Sequence, residues 1–205
     1  HQLQDYKSAS SAFDKVVRMS PEYEFLFNAL LSRARAFDPK YNDSSKLITE
    51  INKMLKDDKN NDYKDQIYFA LAEIAIKEED KEQAIDHLLN ATANNTGNDQ
   101  QQSIAHLTLA EIYFNDAEYL SAQVHYDTAI TFLSENHPDF DELSKKRESL
   151  NELVNLYNTI ALNDSLYSLS ELDDDELKTI IDAIIEEKKE EDRLAKEALR
   201  ANLGA

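Results

Sequence analysis

The sequence predicts an all-α fold: a solenoid of stacked helical hairpins, then capping helices and a long C-terminal helix. Three observations carry that reading. Of 205 residues only two are Gly and three Pro while 31% are charged, a composition that favours long helices over strands and turns. Apolar residues recur at helical spacing along most of the chain. The stretch from Tyr63 to Leu133 also states one pattern twice. Its first half reads Tyr68, Leu71, Ala72, Ala75, then Ala84, Leu88, Ala91. Its second half reads His106, Leu109, Ala110, Tyr113, then Ala122, Tyr126, Ala129. The separation of the marker alanines is the same in both, Ala72 to Ala84 and Ala110 to Ala122.

That spacing is the tetratricopeptide (TPR) pattern, a helix-turn-helix of about 34 residues with small side chains where the paired helices touch. Ala72 and Ala84 mark a close approach that a larger side chain would force apart, and Ala110 and Ala122 mark the next. Leu71, Leu88 and Tyr126 fill the surrounding space, while Ala91 and Ala129 admit the following helix. Each pair leaves one apolar face uncovered, so the repeats must stack. The step from Ala72 to Ala110 is longer than the usual repeat, and the surplus is expected as a longer loop at Asn94-Asn95-Thr96-Gly97-Asn98-Asp99.

The remaining elements follow in order. Asp5 to Pro21, with Ala9, Phe13 and Val16, fits the second helix of a truncated first repeat. Glu22 to Phe37 is the next helix, buried along Phe27, Leu30, Leu31 and Ala34, and Asp38-Pro39 closes it. Asn42 to Ser45 offers an N-cap for a helix carrying Leu47, Ile48, Ile51, Met54 and Leu55, which makes a degenerate second repeat. Lys56 to Asp62 reads as a surface loop. The clear repeats cover about 65–95 and 103–134, so that the array spans 1–134.

Pro138 occupies a first-turn position for a helix to about Leu162, with Leu143, Leu150, Leu153, Val154, Tyr157, Ile160 and Ala161 on one side. Asn163-Asp164-Ser165 is expected to break it, so that capping helices fill 135–172. The last segment, 173–205, is a long charged helix opened by Asp173-Asp174-Asp175-Glu176, acids suited to a helix N-terminus rather than to a cation site. It carries Leu177, Ile180, Ile181, Ile184 and Ile185, turns wholly polar from Glu186 to Arg193, and ends in a short stripe at Leu194, Ala195, Ala198 and Leu199. The chain opens on His1 and closes on Leu203-Gly204-Ala205, and is read as a piece of a longer protein.

Charge and composition exclude several function classes. Forty-one acids against 22 bases give a net charge of −19, which repels phosphate backbones and anionic lipid alike. There is no cysteine, hence no disulfide and no thiolate metal site. No apolar run approaches the roughly 20 residues that span a bilayer. No H-E-x-x-H, phosphate-binding glycine loop or G-x-S-x-G is present. His87 and His125 hold the same position in successive repeats, where equivalent positions would lie side by side. No acidic companion of ligand spacing accompanies them, so they are expected as surface histidines. Glu73 and Glu111 have no visible pocket for acid–base work. The sequence assigns no catalytic residue, no cofactor and no metal; the protein is expected not to be an enzyme.

The groove of a TPR stack is lined by set positions of each first helix. Counted from Asp65 and Ser103 these are Gln66, Phe69, Glu73, Ile76 and Lys77, then Ile104, Leu107, Glu111, Phe114 and Asn115, the candidate partner-binding residues. Phe69, Ile76, Leu107 and Phe114 are apolar there, which marks either a ligand surface or a place where the protein's own chain packs. Carboxylate-clamp TPRs need Lys, Arg and Asn where this sequence has Glu73 and Glu111, so gripping chaperone tails is not expected.

The whole chain resembles the TPR lipoproteins of the PorW/SprE type, which belong to the type IX secretion and gliding-motility apparatus. Asn52-Lys53-Met54-Leu55-Lys56-Asp57, Asp65 to Ala72, Leu109 to Phe114 and Tyr126-Asp127 carry the resemblance, with Asp164-Ser165-Leu166 and Ile180-Ile181-Asp182 beyond the repeats. It implies a periplasmic scaffold held at the outer membrane by an N-terminal lipid outside this chain. It also implies partners among the subunits of the secretion complex, the outer-membrane translocon and periplasmic ring components, with no catalytic residue to carry over. A free-standing TPR adaptor or co-chaperone that grips short peptides is the alternative.

Overall fold

The small residues of the repeated pattern let helices approach closely, and the structure is built from those approaches. A computed structural model describes residues 6–19 and 22–203; Asp5 and Pro21 of the first-helix reading lie outside them. Among the described residues there are nine α-helices, one 3-10 helix and no strand. They are α1 (Tyr6–Arg18), α2 (Tyr23–Arg35), α3 (Ser45–Leu55), the 3-10 helix (Asp58–Tyr63), α4 (Lys64–Lys77), α5 (Lys81–Ala93), α6 (Asp99–Asn115), α7 (Tyr119–Phe132), α8 (Phe140–Ser170) and α9 (Asp174–Leu203). The chain divides into two units, His1–Val154 and Asn155–Ala205, and the division falls within α8.

In the first unit three apolar clusters each span three helices, and neighbouring clusters share one. The first gathers Leu30, Leu31 and Ala34 of α2, Leu47, Ile51 and Met54 of α3, and Ile67, Leu71 and Ile74 of α4. The second joins Phe69 and Ala72 of α4 to Leu88 and Ala91 of α5 and Ala105 and Leu109 of α6. The third joins Ala110 of α6 to Ala122 and Tyr126 of α7 and Leu150 and Val154 of α8. Sharing one helix between clusters makes the core continuous along the stack, as repeats that cannot bury a face alone require. Ala72, Ala84, Ala110 and Ala122 are all 0% exposed.

The turns inside the two clear hairpins share one device. Glu79 (φ 60°) and Ala117 (φ 61°), at equivalent places in successive repeats, both take the left-handed conformation just past a first helix. After each, a backbone N–H reaches back to close the helix: Asp80 N to Ala75 O and Glu118 N to Tyr113 O, both 2.9 Å. The left-handed residue itself donates at 3.1 Å, Glu79 N to Ile76 O and Ala117 N to Phe114 O. This pair of bonds is the Schellman closure, usually made by Gly.

Several expectations need correction. The surplus of the repeat step is not all loop, because α6 starts at Asp99 and runs 17 residues against 14 in α4. Asn98 allows the early start, its side chain accepting from Gln101 N as an N-cap. The supposed surface loop at Lys56–Asp62 contains most of the 3-10 helix. Its Asn60 is wholly buried, donating to Met54 O at 2.8 Å and accepting from Tyr23 Oη at 2.7 Å. Asn163-Asp164-Ser165 does not break α8, where Ser165 Oγ donates to Ala161 O and Ser168 Oγ to Asp164 O. Such side chains satisfy backbone carbonyls without interrupting a helix. Pro138 stands ahead of that helix, which begins at Phe140, instead of entering its first turn. Burial along α8 stops at Val154, and Tyr157 and Ile160 are each 60% exposed.

In the second unit Asp173 caps α9, its Oδ1 accepting from Asp175 N at 3.0 Å and Glu176 N at 2.8 Å. Glu176 answers by accepting from Asp173 N, which completes a capping box. The polar run from Glu186 to Arg193 stays helical and exposed, laced by Lys189–Glu186, Lys188–Glu191 and Arg193–Glu190 pairs. The side chains of Ala198 and Leu199 lie outside the described residues.

Candidate interaction surface

The first helices of successive hairpins, α2, α4 and α6, are neighbours in the first unit, and the candidate residues on α4 and α6 fall into three parts with different surroundings. At one end Gln66 borders a cleft of about 400 Å³ with Tyr23, Phe27, Lys59, Asn60 and Tyr63. The Phe27 and Tyr63 rings meet at 5.5 Å, and the Lys59 ammonium stands 5.5 Å over Tyr23.

The middle part is locked by charge. Glu73 lies 3.6 Å from Arg35 Nε. Burial raises its carboxyl above the usual range, against the opposing pull of Arg35 and Lys77. Lys77 Nζ donates to the carbonyls of Ala34 and Arg35 at the C-terminal end of α2, where a cation meets the negative end of the helix dipole. Burial lowers the Lys77 amine, and Glu73 and Asp38 oppose that. Phe69, 9% exposed, belongs to the second core cluster and to packing between α4, α5 and α6.

The far part is open. Ile76 and Ile104 are each 39% exposed and Phe114 is 37% exposed, while Leu107 is half-buried against the third cluster. Ile76 and Asn115 border a second cleft of about 180 Å³, closed on one side by the Lys81–Asp116 ion pair at 2.8 Å. Glu111 is exposed, 3.9 Å from Lys146 Nζ of α8, and that ammonium also stands 5.7 Å over the Phe114 ring. The protein's own α8 thus touches the edge of this part.

The histidines are arranged otherwise than expected. His87 and His125 are on α5 and α7, and His125 instead meets His106 of its own hairpin, Nδ1 to Nδ1 at 2.9 Å. His87 packs beside Tyr68 at 6.4 Å. The signal was a spacing within the repeat, since Tyr68 stands as far ahead of His87 as His106 does of His125. Gln102 Nε2 faces His106 Nε2 at 3.3 Å. The two Nδ1 atoms can share only one proton, so one of the two rings presents an unprotonated Nδ1 to the other. Burial drives the His106 pKa down to about 4, with His125 adding to the effect, and burial lowers His125 too. Both rings are therefore neutral at pH 7. Among the described residues no group of three or more His, Cys, Asp or Glu is placed to hold a metal ion.

A family model described as a tetratricopeptide repeat-like domain matches residues 1–147. A search of the curated proteins returns no match.

Proposed function

Because the chain belongs to the tetratricopeptide repeat-like family, we propose that it is a non-enzymatic scaffold of a bacterial type IX secretion and gliding apparatus. Its part there is to join the outer-membrane translocon to periplasmic ring components. Repeats of this kind are protein–protein interaction modules, built to present one wall of stacked helices to a partner. The observation that carries the scaffold reading is the open part of that wall, where Ile76, Ile104 and Phe114 stand exposed beside Glu111. The secretion assignment rests on the resemblance, above all on Asp164-Ser165-Leu166 and Ile180-Ile181-Asp182 outside the repeats. A periplasmic site, anchored at the outer membrane through a lipid outside this chain, belongs to the same proposal. Among the described residues no helix is long and apolar enough to cross a membrane.

Affinity purification from native membranes tests it, comparing the natural chain with Ile76→Ala/Phe114→Ala. Both side chains are partly exposed, so the variant should keep its melting temperature to within a few degrees and lose the translocon and ring subunits. Retention of those subunits by the variant removes the wall from the binding. Recovery of free peptides or chaperones in their place supports a free-standing adaptor and overturns the secretion role.

A further inference from the structure

We infer that the face of α9 from Leu177 to Ile185 is a docking surface for a cationic amphipathic helix of another protein. Leu177, Ile180, Ile181, Ile184 and Ile185 fall at i, i+3, i+4, i+7 and i+8, one face of a helix. None of the described side chains from Asn155 to Glu197 is buried, and Ile181 and Ile184 are 47% and 52% exposed. Four isoleucines are a poor choice for making a helix, since branching at Cβ costs side-chain freedom there. Their spacing serves contact.

Charge identifies the occupant. From Glu171 to Glu187 there are eight acids, and Lys178 is the one base. Capping employs Asp173 and Glu176; it does not account for Asp182 or Glu187. An apolar stripe set in a net charge of −7 (1 − 8) repels anionic lipid and repels a second copy of itself. It attracts an apolar helix flanked by Lys or Arg, the helix-in-groove mode of recognition. The self-paired Glu186–Arg193 segment marks where contact ends, leaving about 12 Å of helix for it. Nothing here depends on the repeat wall.

The probe is a labelled amphipathic helix of Leu, Ala and Lys, read by fluorescence anisotropy against the full chain, with a Leu, Ala and Glu peptide as control. The Lys peptide should bind, weaken as salt rises, and lose about tenfold or more in affinity with Ile181→Glu/Ile184→Glu. Asp182→Lys/Glu187→Lys keeps the apolar face and should weaken it as well. The Glu peptide should not bind. Circular dichroism should be unchanged in both variants, whose altered side chains are all exposed. Equal binding of the Lys peptide to the isoleucine variant overturns the inference. So does a self-associated form abolished by that variant in sedimentation, or adsorption of the natural chain to anionic vesicles. The wall variant Ile76→Ala/Phe114→Ala should bind the Lys peptide normally, which separates this inference from the proposed function.

Discussion

Ala117→Gly should stabilise the protein. Ala117 sits at φ 61°, where an L residue brings Cβ close to the neighbouring carbonyl at a cost of about 1–2 kcal/mol. Glycine removes that cost but enlarges the freedom of the unfolded chain, worth about 0.5–1 kcal/mol in the other direction. The closing bonds, Ala117 N to Phe114 O and Glu118 N to Tyr113 O, are backbone bonds and survive. The balance is a gain of about 0.5–1 kcal/mol, read as a higher urea midpoint at constant slope, or as a melting temperature raised by about 1–4 °C. Glu79→Gly should behave alike, because the same closure recurs there. Ala117→Val should move the midpoint the other way, since a branched Cβ tolerates positive φ worst. A Gly variant that loses about 1 kcal/mol beside a tolerated Val would show that the turn is not left-handed.

Three other outcomes follow from the packing. Ala110→Leu should overpack its crossing with α7 and cost about 1–3 kcal/mol in urea unfolding; no loss would contradict a contact in which Ala110 and Ala122 are fully buried. Asn60→Ala should cost about 1–3 kcal/mol by stranding Met54 O, against about 0.5–1.5 kcal/mol for Tyr23→Phe; equal, negligible losses would place Asn60 in solvent. The contribution of His106 to stability should also be lost on acidification. The folded His106 pKa, about 4, lies below the ordinary value of 6.5, so the unfolded chain takes the proton first. Its contribution is whole above about pH 6.5 and is lost toward pH 4. Discounted for a partly exposed ring, it amounts to about 1–2 kcal/mol. His106→Gln should flatten that part of the urea midpoint-against-pH curve.

What could be read in advance was whatever the chain repeats. Ala72, Ala84, Ala110 and Ala122 were legible because a helix crossing admits nothing larger, and a steric rule leaves its mark at fixed spacing. Asn60 was not: its place is set by a carbonyl stranded at the end of α3 and by the distant Tyr23 hydroxyl, and no local pattern encodes either. Counting along the repeat singles out Glu73 and Lys77, but their lock depends on where α2 stops and offers Arg35 and two carbonyls. The run Asn163-Asp164-Ser165 does not mark the end of α8, because Asn-Asp-Ser carries only a weak local preference, which continuing helix on both sides outweighs.

One arrangement bears on how such an array changes length. Asp65, at the start of α4, accepts from Asn95 Nδ2 at 3.3 Å, just beyond the end of α5; Thr96 Oγ1 donates to Asp62 O at 3.1 Å. In the next hairpin Ser103, at the position equivalent to Asp65, donates to Ala129 O of α7 at 3.0 Å. Each hairpin therefore leaves from beside the point at which it arrives. A unit clasped at its own ends can be excised or copied whole, because the flanking chain meets the same junction either way. Excising one such cassette, from Asp65 to Gln102, would bring Ser103 to follow Lys64 in the place that Asp65 holds. In such an array whole cassettes are the natural unit of gain or loss, because each repeat contacts only its neighbours, whereas half a cassette has no junction to meet.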